Sequence, residues 1–215
     1  MELSVKGLID IASHEGICLD WYYDSVGVAT IGIGQTKYDG FDPKAVGTLT
    51  IQQVFDLYKR KIKEYEAYVK KLPYDLKQHQ YDALTSLCYN FGPGNLRTLC
   101  ANRTLEQVGV AIMYYLKPPE IRGRRQKEQT LFLTGQYSNT DGKVLVFPVE
   151  NHKPVYKKGY YVDVRPYLDP SAGTEPAPEN PPTTTVEPTA TAPEPKESVW
   201  VSVFRAVIAA LTKRT

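Results

Sequence analysis

The sequence predicts an α+β fold that is mainly helical, with one small β-hairpin near the amino terminus. Within residues 16–33, apolar and polar residues alternate between glycines, which is typical of a short hairpin. From residue 51 onwards, apolar residues instead recur at steps of three and four, which is typical of amphipathic helices. With 215 residues, the chain can bury one good core and has residues left over.

The first predicted helix ends beside a carboxylate. Apolar residues recur at helical spacing up to Ala12, and Gly16 is typical of the residue that follows a helix, so Glu15 lies at the carboxyl-terminal edge. The helix dipole there favours a protonated carboxyl group, which suits a general acid. Asp24 falls in the turn of the hairpin and is expected to be more solvated. One protonated and one ionised carboxyl group are what glycoside hydrolysis requires.

Taken singly, each of these two residues also has an ordinary explanation, because acidic residues are common at helix ends and in turns. Their joint pattern is more specific. The stretch from His14 to Gly34 resembles the signature of the phage lysozymes (endolysins, glycoside hydrolase family 24), in which a Glu, eight residues, an Asp, five residues and a Thr follow one another. The residues in register are Glu15-Gly16, Leu19, Tyr22, Asp24, Gly27 and Thr30-Ile31-Gly32-Ile33-Gly34.

This resemblance implies a muramidase that cleaves the β-1,4 bond between N-acetylmuramic acid and N-acetylglucosamine in peptidoglycan. Glu15 is then the general acid, while Asp24 and Thr30 hold the attacking water and the anomeric carbon is inverted. Inversion requires carboxyl groups about 6.5 to 9.5 Å apart. The implied fold is lysozyme-like: a mainly helical lobe and a small β-hairpin lobe are joined by a long helix, with the cleft between them. Many relatives carry His where this chain has Gln35, which puts one supporting contact in doubt.

The helices after the hairpin are predicted from capping boxes at their starts and prolines at their ends. Residues 35–47 are predicted to form a loop. Thr50 and Gln53 have capping-box spacing, which predicts the start of a long helix. This helix is predicted to run to residue 72, because Pro73 ends it. A second helix is predicted over residues 76–89. A capping box at Thr104 begins a third, which continues until Pro118-Pro119, and a fourth covers residues 123–134.

Four residues are candidates for substrate binding: Thr36, Tyr89, Asn90 and Arg124. Asn90 lies in a stretch that resembles the family's second signature, and its amide can both donate to and accept from an acetamido group, although Asn is also a common helix terminator. Arg124 falls where relatives place an arginine that faces the catalytic Glu. Without the resemblance, two arginines at a helix start indicate only surface charge.

The last third of the chain divides into three parts. Residues 138–170 are β-like and are predicted to pack on the helical lobe, although tyrosines among lysines could instead form a glycan-stacking surface. Residues 171–197 are rich in Pro, Thr, Ala and Glu, which predicts a disordered linker. Residues 198–215 predict a basic amphipathic helix that binds a membrane surface. The alternative is that this helix docks on the catalytic domain or on another subunit.

The composition of the chain limits which binding partners and which cell compartment are expected. A net charge of +2 gives no argument for nucleic acid, and three cysteines without paired spacing are expected to be reduced thiols. We find no metal, nucleotide or flavin motif, so no cofactor is expected. The amino terminus does not resemble a signal peptide, which predicts a protein kept in the host cytoplasm until its release to the cell wall. The resemblance implies a holin as partner for that release, and we expect a monomer.

Two other functions remain open. A lytic transglycosylase acts on the same bond with one acid and leaves an anhydro sugar, but the spacing of Asp24 and Thr30 argues against it. A catalytically inactive glycan-binding or membrane-active protein is the other possibility. The joint presence of Glu15, Asp24 and Thr30 argues against that alternative too.

Overall fold

The computed structural model describes residues 1–38 and 40–169, so the predicted linker (171–197) and the predicted membrane-binding helix (198–215) lie outside the described residues. The helices are α1 (Val5–Glu15), α2 (Ile51–Val69), α3 (Gln78–Cys100), α4 (Leu105–Ala111), α5 (Arg122–Thr134) and α6 (Arg165–Leu168). The strands are β1 (Cys18–Tyr23), β2 (Ala29–Gly32), β3 (Gln35–Thr36), β4 (Lys143–Val146), β5 (Val149–Glu150), β6 (Lys153–Pro154) and β7 (Tyr160–Asp163). Within the described ranges, no helix is long and apolar enough to cross a membrane.

Helix α1 ends as predicted, with Glu15 as its last residue. Ser4 caps its start by accepting a hydrogen bond from the backbone N–H of Gly7 at 3.0 Å. Gly16 ends the helix with a φ of 72°, and its N–H donates to the carbonyl of Ala12. A side chain at Gly16 would lie 2.6 Å from the ring of Phe147, so glycine is needed here for both conformation and space.

The predicted hairpin is confirmed as β1 and β2, but the predicted loop after it contains a third strand. The three strands are antiparallel in the order β1-β2-β3. The reason for β3 is the side chain of Gln35, which is buried and folds back on Ile33. Its Oε1 accepts from the N–H of Ile33 at 2.7 Å, and its Nε2 donates to the carbonyl of Ile33 at 3.0 Å. These bonds close a tight turn that the composition of the loop did not reveal.

Helix α2 connects two separate apolar cores. Thr50 and Gln53 form the predicted capping box. The first core gathers residues of α1, the hairpin and the first half of α2, and the second gathers residues of α3, α4 and α5 together with Val69 at the end of α2. This is the predicted arrangement of a hairpin lobe and a helical lobe joined by a long helix. The helix ends at Val69 and not at residue 72, because Lys71 and Leu72 donate to carbonyls only three residues back and so form turns ahead of Pro73.

Helix α3 is longer than predicted, because a second helical segment follows the predicted one. Gly92 breaks the helix with φ 85° and ψ 162°, and Pro93 then begins a segment that runs to Cys100. A proline is tolerated there because the first turn of a helix needs no N–H donor. The capping box of Thr104 and Gln107 is confirmed at α4. The prediction that this helix continues until Pro118-Pro119 is wrong, because it ends at Ala111 and passes into a short 3₁₀ turn.

The segment after α5 packs on the hairpin lobe, not on the helical lobe as predicted. It forms two small antiparallel sheets, β4-β7 and β5-β6, and its buried residues Val144, Val146 and Val164 belong to the first core. Buried Asp10 of α1 holds its beginning, since Oδ1 accepts from the N–H and hydroxyl of Ser138 at 2.8 Å each. Such long-range contacts are not encoded in the spacing of the segment itself. We call residues 138–169 the extension.

Candidate active site

Glu15 is held at the junction of the two lobes by an ion pair. Its Oε1 accepts a hydrogen bond of 2.6 Å from Nη1 of Arg124, a residue 109 positions away on α5. Both side chains are largely shielded, with 10% and 5% of their surface exposed. A charge-assisted bond in such a place is strong and directional. The arginine that the resemblance placed opposite Glu15 therefore does contact it, and the contact bridges the hairpin lobe and the helical lobe.

Arg124 belongs to a buried group of charges in the helical lobe. Its Nε donates to Oε1 of Glu128 at 2.9 Å, and the hydroxyl of Ser86 donates to the same oxygen at 2.6 Å. Nη1 of Arg125 donates to the other oxygen of Glu128. Glu128 is 0% exposed and Arg125 is 1% exposed. Buried charges are tolerated only when they are paired, so Glu128 allows both arginines to lie inside the lobe.

Asn90 is already bonded within this group. Its Oδ1 accepts from Nη2 of Arg125, whose guanidinium group also lies 5.2 Å from the centre of the Phe91 ring. Burial and the neighbouring Arg124 lower the pKa of Arg125 to about 9, which still leaves it charged at neutral pH. The bond to Arg125 uses one of the two lone pairs of the Asn90 oxygen, so Asn90 can still offer a sugar two N–H donors and one acceptor site. Its role in substrate binding remains a prediction.

Asp24 follows β1 directly and begins the hairpin turn. Its Oδ1 accepts from the backbone N–H groups of Val26 at 2.9 Å and Val28 at 2.8 Å. Among the described residues, no donor bonds Oδ2. One carboxylate oxygen thus shapes the turn, and the other can accept a hydrogen bond from a water molecule.

Thr30 lies on β2, directly opposite Tyr22 of β1, so the two side chains share one face of the hairpin. Its hydroxyl donates to the carbonyl of Val28 at 3.1 Å, which leaves the hydroxyl oxygen free to act as an acceptor. Thr30 is buried, with 1% of its surface exposed. Any water that it contacts is therefore sheltered from bulk solvent.

Tyr22 connects these residues electrostatically. Burial is the main reason that the pKa of its phenol lies well above the ordinary value, and the negative charges of Glu15 and Asp24 raise it further. Thr30 is the neighbour of Tyr22 across the hairpin. The phenol of Tyr22 therefore lies on the same face of the hairpin as Thr30 and is influenced by the charges of both predicted catalytic carboxylates.

Comparison with known proteins identifies the family. A sequence model described as phage lysozyme matches residues 12–113. The endolysin of Salmonella phage P22 is 33% identical over 145 residues, and the match covers 62% of this chain and 99% of the relative. The chain belongs to the phage lysozyme family. It is therefore a muramidase, a glycoside hydrolase that degrades the peptidoglycan of the bacterial cell wall.

Solved structures confirm the lysozyme-like α+β fold. A crystal structure of a P22 lysozyme mutant has a TM-score of 0.55 and 32% identity, and covers 62% of this chain and 99% of its own. The endolysin from Escherichia coli O157:H7 phage FAHEc1 has a TM-score of 0.58 and 26% identity, and covers 65% and 98%. More than a third of this phage lysozyme thus lies outside the P22 match, and the family match ends before the extension begins.

Two further predicted binding residues of this phage lysozyme lie on or against the small sheet. Thr36 is exposed on β3, opposite Thr30 of β2, and is open to a ligand. The hydroxyl of Tyr89 donates to the carbonyl of Ile33 at 2.5 Å, and its ring packs edge-on against Tyr65. Because that bond uses the only proton of the Tyr89 hydroxyl, the residue can offer a sugar only an acceptor. Substrate binding by both residues remains a prediction.

His14, which precedes Glu15, is neutral in the folded phage lysozyme. Burial, and then the positive charges of Arg124, Lys127 and Arg125, hold its pKa well below the ordinary value. The distance of 3.7 Å from its Nε2 to Asp10 therefore does not describe a salt bridge at neutral pH. Burial also raises the pKa of the Cys18 thiol to about 12, so it is protonated. Within the described ranges, no cluster of His, Cys, Asp and Glu could hold a metal ion.

Sequence reasoning missed three members of the buried charge group: Ser86, Arg125 and Glu128. The sequence predicts no role for any of them. The signal that could have found them is spacing, because Glu128 follows Arg124 by four residues and Arg125 by three, on one face of a helix. A cavity of about 600 Å³ near Arg103 and Tyr114 contains none of the predicted site residues and is not the catalytic cleft.

Proposed function

We propose that this phage lysozyme hydrolyses the β-1,4 bond between N-acetylmuramic acid and N-acetylglucosamine by single displacement with inversion. Glu15 is the general acid, Asp24 the general base, and Thr30 helps to hold the attacking water. The observation that carries the proposal is the hydrogen bond of 2.6 Å from Arg124 to Glu15, which holds the proposed acid at the junction of the two lobes. Two carboxyl groups and one hydroxyl are the groups that an inverting hydrolysis uses.

The proposed reaction proceeds in one step. To act as the acid, Glu15 takes up a proton and then accepts from Arg124 as a neutral carboxyl group. It donates this proton to the glycosidic oxygen, and the bond from that oxygen to the anomeric carbon breaks. A water molecule attacks this carbon from the opposite face and loses a proton to Oδ2 of Asp24. Thr30 accepts a hydrogen bond from the same water and orients it. Arg124 fixes Glu15 at the lobe junction, so the acid stays aligned with the leaving oxygen.

The configuration of the first product tests this mechanism. We expect proton NMR of a digest, recorded before mutarotation, to show the α anomer of the new N-acetylmuramic acid end, because water attacks the face opposite the β bond. The same sample after mutarotation provides the reference signals of both anomers. An initial β anomer would contradict single displacement. A 1,6-anhydro end, seen by mass spectrometry, would show that the protein is a lytic transglycosylase.

We also propose that the protein, as a monomer, reaches its substrate in two stages. Peptidoglycan lies outside the cytoplasm, so an enzyme kept in the host cytoplasm needs release, for which a holin is the partner. Residues 198–215 then contact the bacterial membrane. Support for that contact comes from composition, since the segment carries Trp200, Phe204 and three basic residues but no acidic one. Such a segment binds an anionic membrane surface through both its apolar face and its charge.

Truncation separates the catalytic domain from this segment. A chain ending at Asp169 is expected to keep its activity on purified peptidoglycan and to lose at least about tenfold on intact cells, which corresponds to about 1.4 kcal/mol of membrane binding. Clearing of cell suspensions and release of soluble fragments from purified walls measure the two activities. The matched control ends at Glu197, which keeps the linker and removes only the last segment. Equal activity of all three chains on intact cells would end the membrane proposal.

A further inference from the structure

The extension bonds the outer edge of β1 at its two ends. Within its own sheet, β1 is an edge strand, because β2 pairs with only one of its sides. Just before β1, Ile17 donates to the carbonyl of Leu145 at 2.9 Å and accepts from the N–H of Phe147 at 2.8 Å. At the end of β1, the N–H of Tyr23 donates to the carbonyl of His152 at 3.0 Å. The edge is therefore covered at both ends by residues from outside the family match.

These two attachments flank the two proposed catalytic carboxyl groups. Ile17 is two residues after Glu15, and Tyr23 is the residue immediately before Asp24. Strand β3 pairs only with β2, so no strand of this sheet supports the outer side of β1 next to the hairpin turn. Fixing β1 at both ends thus fixes the position of Asp24 relative to Glu15.

The attachment next to Asp24 is a rigid turn with an aromatic contact. Strands β5 and β6 are joined by only Asn151 and His152, both with positive φ (50° and 57°), which is the geometry of a tight hairpin turn. The imidazole ring of His152 stacks on the indole ring of Trp21, with 3.6 Å between ring centres and 18° between planes. Stacked rings resist sliding and rotation, so this contact adds orientation to the hydrogen bond at Tyr23.

We propose that His152 is a positioning residue for catalysis, which holds the tip of the hairpin so that Asp24 keeps its distance from Glu15. It acts through Trp21 and Tyr23 and does not touch the substrate. This proposal rests on the role of Asp24 proposed above. A displacement of about 1 Å between reacting groups can reduce a rate about a hundredfold, so a partial loosening of the hairpin is expected to be visible in kcat.

The test replaces His152 with Asn, which accepts positive φ and keeps the backbone bond to Tyr23 while removing the ring. All variants carry Trp200→Phe, so that Trp21 is the only tryptophan left of the two in the chain. We expect His152→Asn to change the fluorescence and near-ultraviolet circular dichroism of Trp21. We expect it to lower kcat on purified, soluble glycan chains about tenfold, while KM changes less than about twofold.

Tyr161→Asn is the matched control, because it also removes an exposed aromatic ring from the extension, here one that is 66% exposed on β7. It is expected to leave the Trp21 signal and kcat unchanged. Any of three results for His152→Asn would overturn the positioning role. The Trp21 signal could be unchanged, the signal could change while kcat does not, or kcat could fall no more than the amount of folded protein does. Full activity of Asp24→Asn would overturn the role of Asp24 as well, so the two failures are distinguishable.

Discussion

Replacing Glu15 with Gln is expected to lower peptidoglycan hydrolysis by about 10²- to 10⁴-fold, the contribution that general acid catalysis makes to such reactions. The amide has the size of the carboxyl group but carries no proton that it can give to the leaving oxygen. The fold should survive, because Gln can still accept the hydrogen bond from Arg124, which also keeps its bond to Glu128. Release of soluble fragments from purified walls measures the rate, and circular dichroism verifies folding.

The control for this variant is Asp20→Asn, a carboxylate in the same stretch of chain. Asp20 lies on β1, accepts a hydrogen bond from the hydroxyl of Thr48 and has no role in the proposed reaction. This variant is expected to retain a rate near that of the unmodified enzyme. Wild-type activity of Glu15→Gln on purified walls would show that Glu15 is not the acid.

Replacing Glu128 with Gln is expected to destabilise the protein by about 3–5 kcal/mol, the cost of removing one partner from a buried ion pair. Glu128 is fully buried and is the common partner of Arg124, Arg125 and Ser86. A neutral amide leaves the charge of Arg125 buried without compensation. Urea unfolding, followed by circular dichroism, measures the change in the free energy of unfolding.

Glu64→Gln is the matched control for the buried carboxylate. Glu64 also takes part in an ion pair along one helix, with Lys61 at 2.7 Å, but its side chain is 60% exposed. Solvent screens such pairs, so the expected loss is below about 1 kcal/mol. The double variant Arg125→Met with Glu128→Leu should recover much of the stability, because it removes both charges together. A loss below 1 kcal/mol for Glu128→Gln alone would contradict the proposed importance of the buried group.

Local features of this protein could be predicted from the sequence because their causes lie within a few residues. The capping boxes at Thr50 and Thr104 depend on a side chain and a backbone group three positions away, and both are present. The end of α1 at Glu15 depends on Gly16, which can adopt the positive φ that the cap requires. The family resemblance, confirmed by the comparisons, gave the muramidase activity and the two-lobed lysozyme fold.

Other features depend on contacts that spacing does not contain. Strand β3 forms because the side chain of Gln35 turns back and bonds the backbone of Ile33. The sequence alone indicates only an ordinary polar loop residue at Gln35. Arg124 and Arg125 appear as surface charge at a helix start, yet both are buried because Glu128 and Ser86 complete their bonding. The predicted packing of the extension on the helical lobe is wrong, since alternating apolar residues show that a strand has a buried face but not what covers that face.

The sequence by itself determined which residues are candidates for the chemistry, because Glu15, Asp24 and Thr30 lie within sixteen consecutive residues whose spacing matches a known signature. Only the tertiary structure decided how these groups are held. Arg124 reaches Glu15 from 109 residues away, and the extension reaches the strand before Asp24 from even farther along the chain. Burial and pairing of charges across such separations arise from packing, which becomes defined only when both lobes are assembled around their cores.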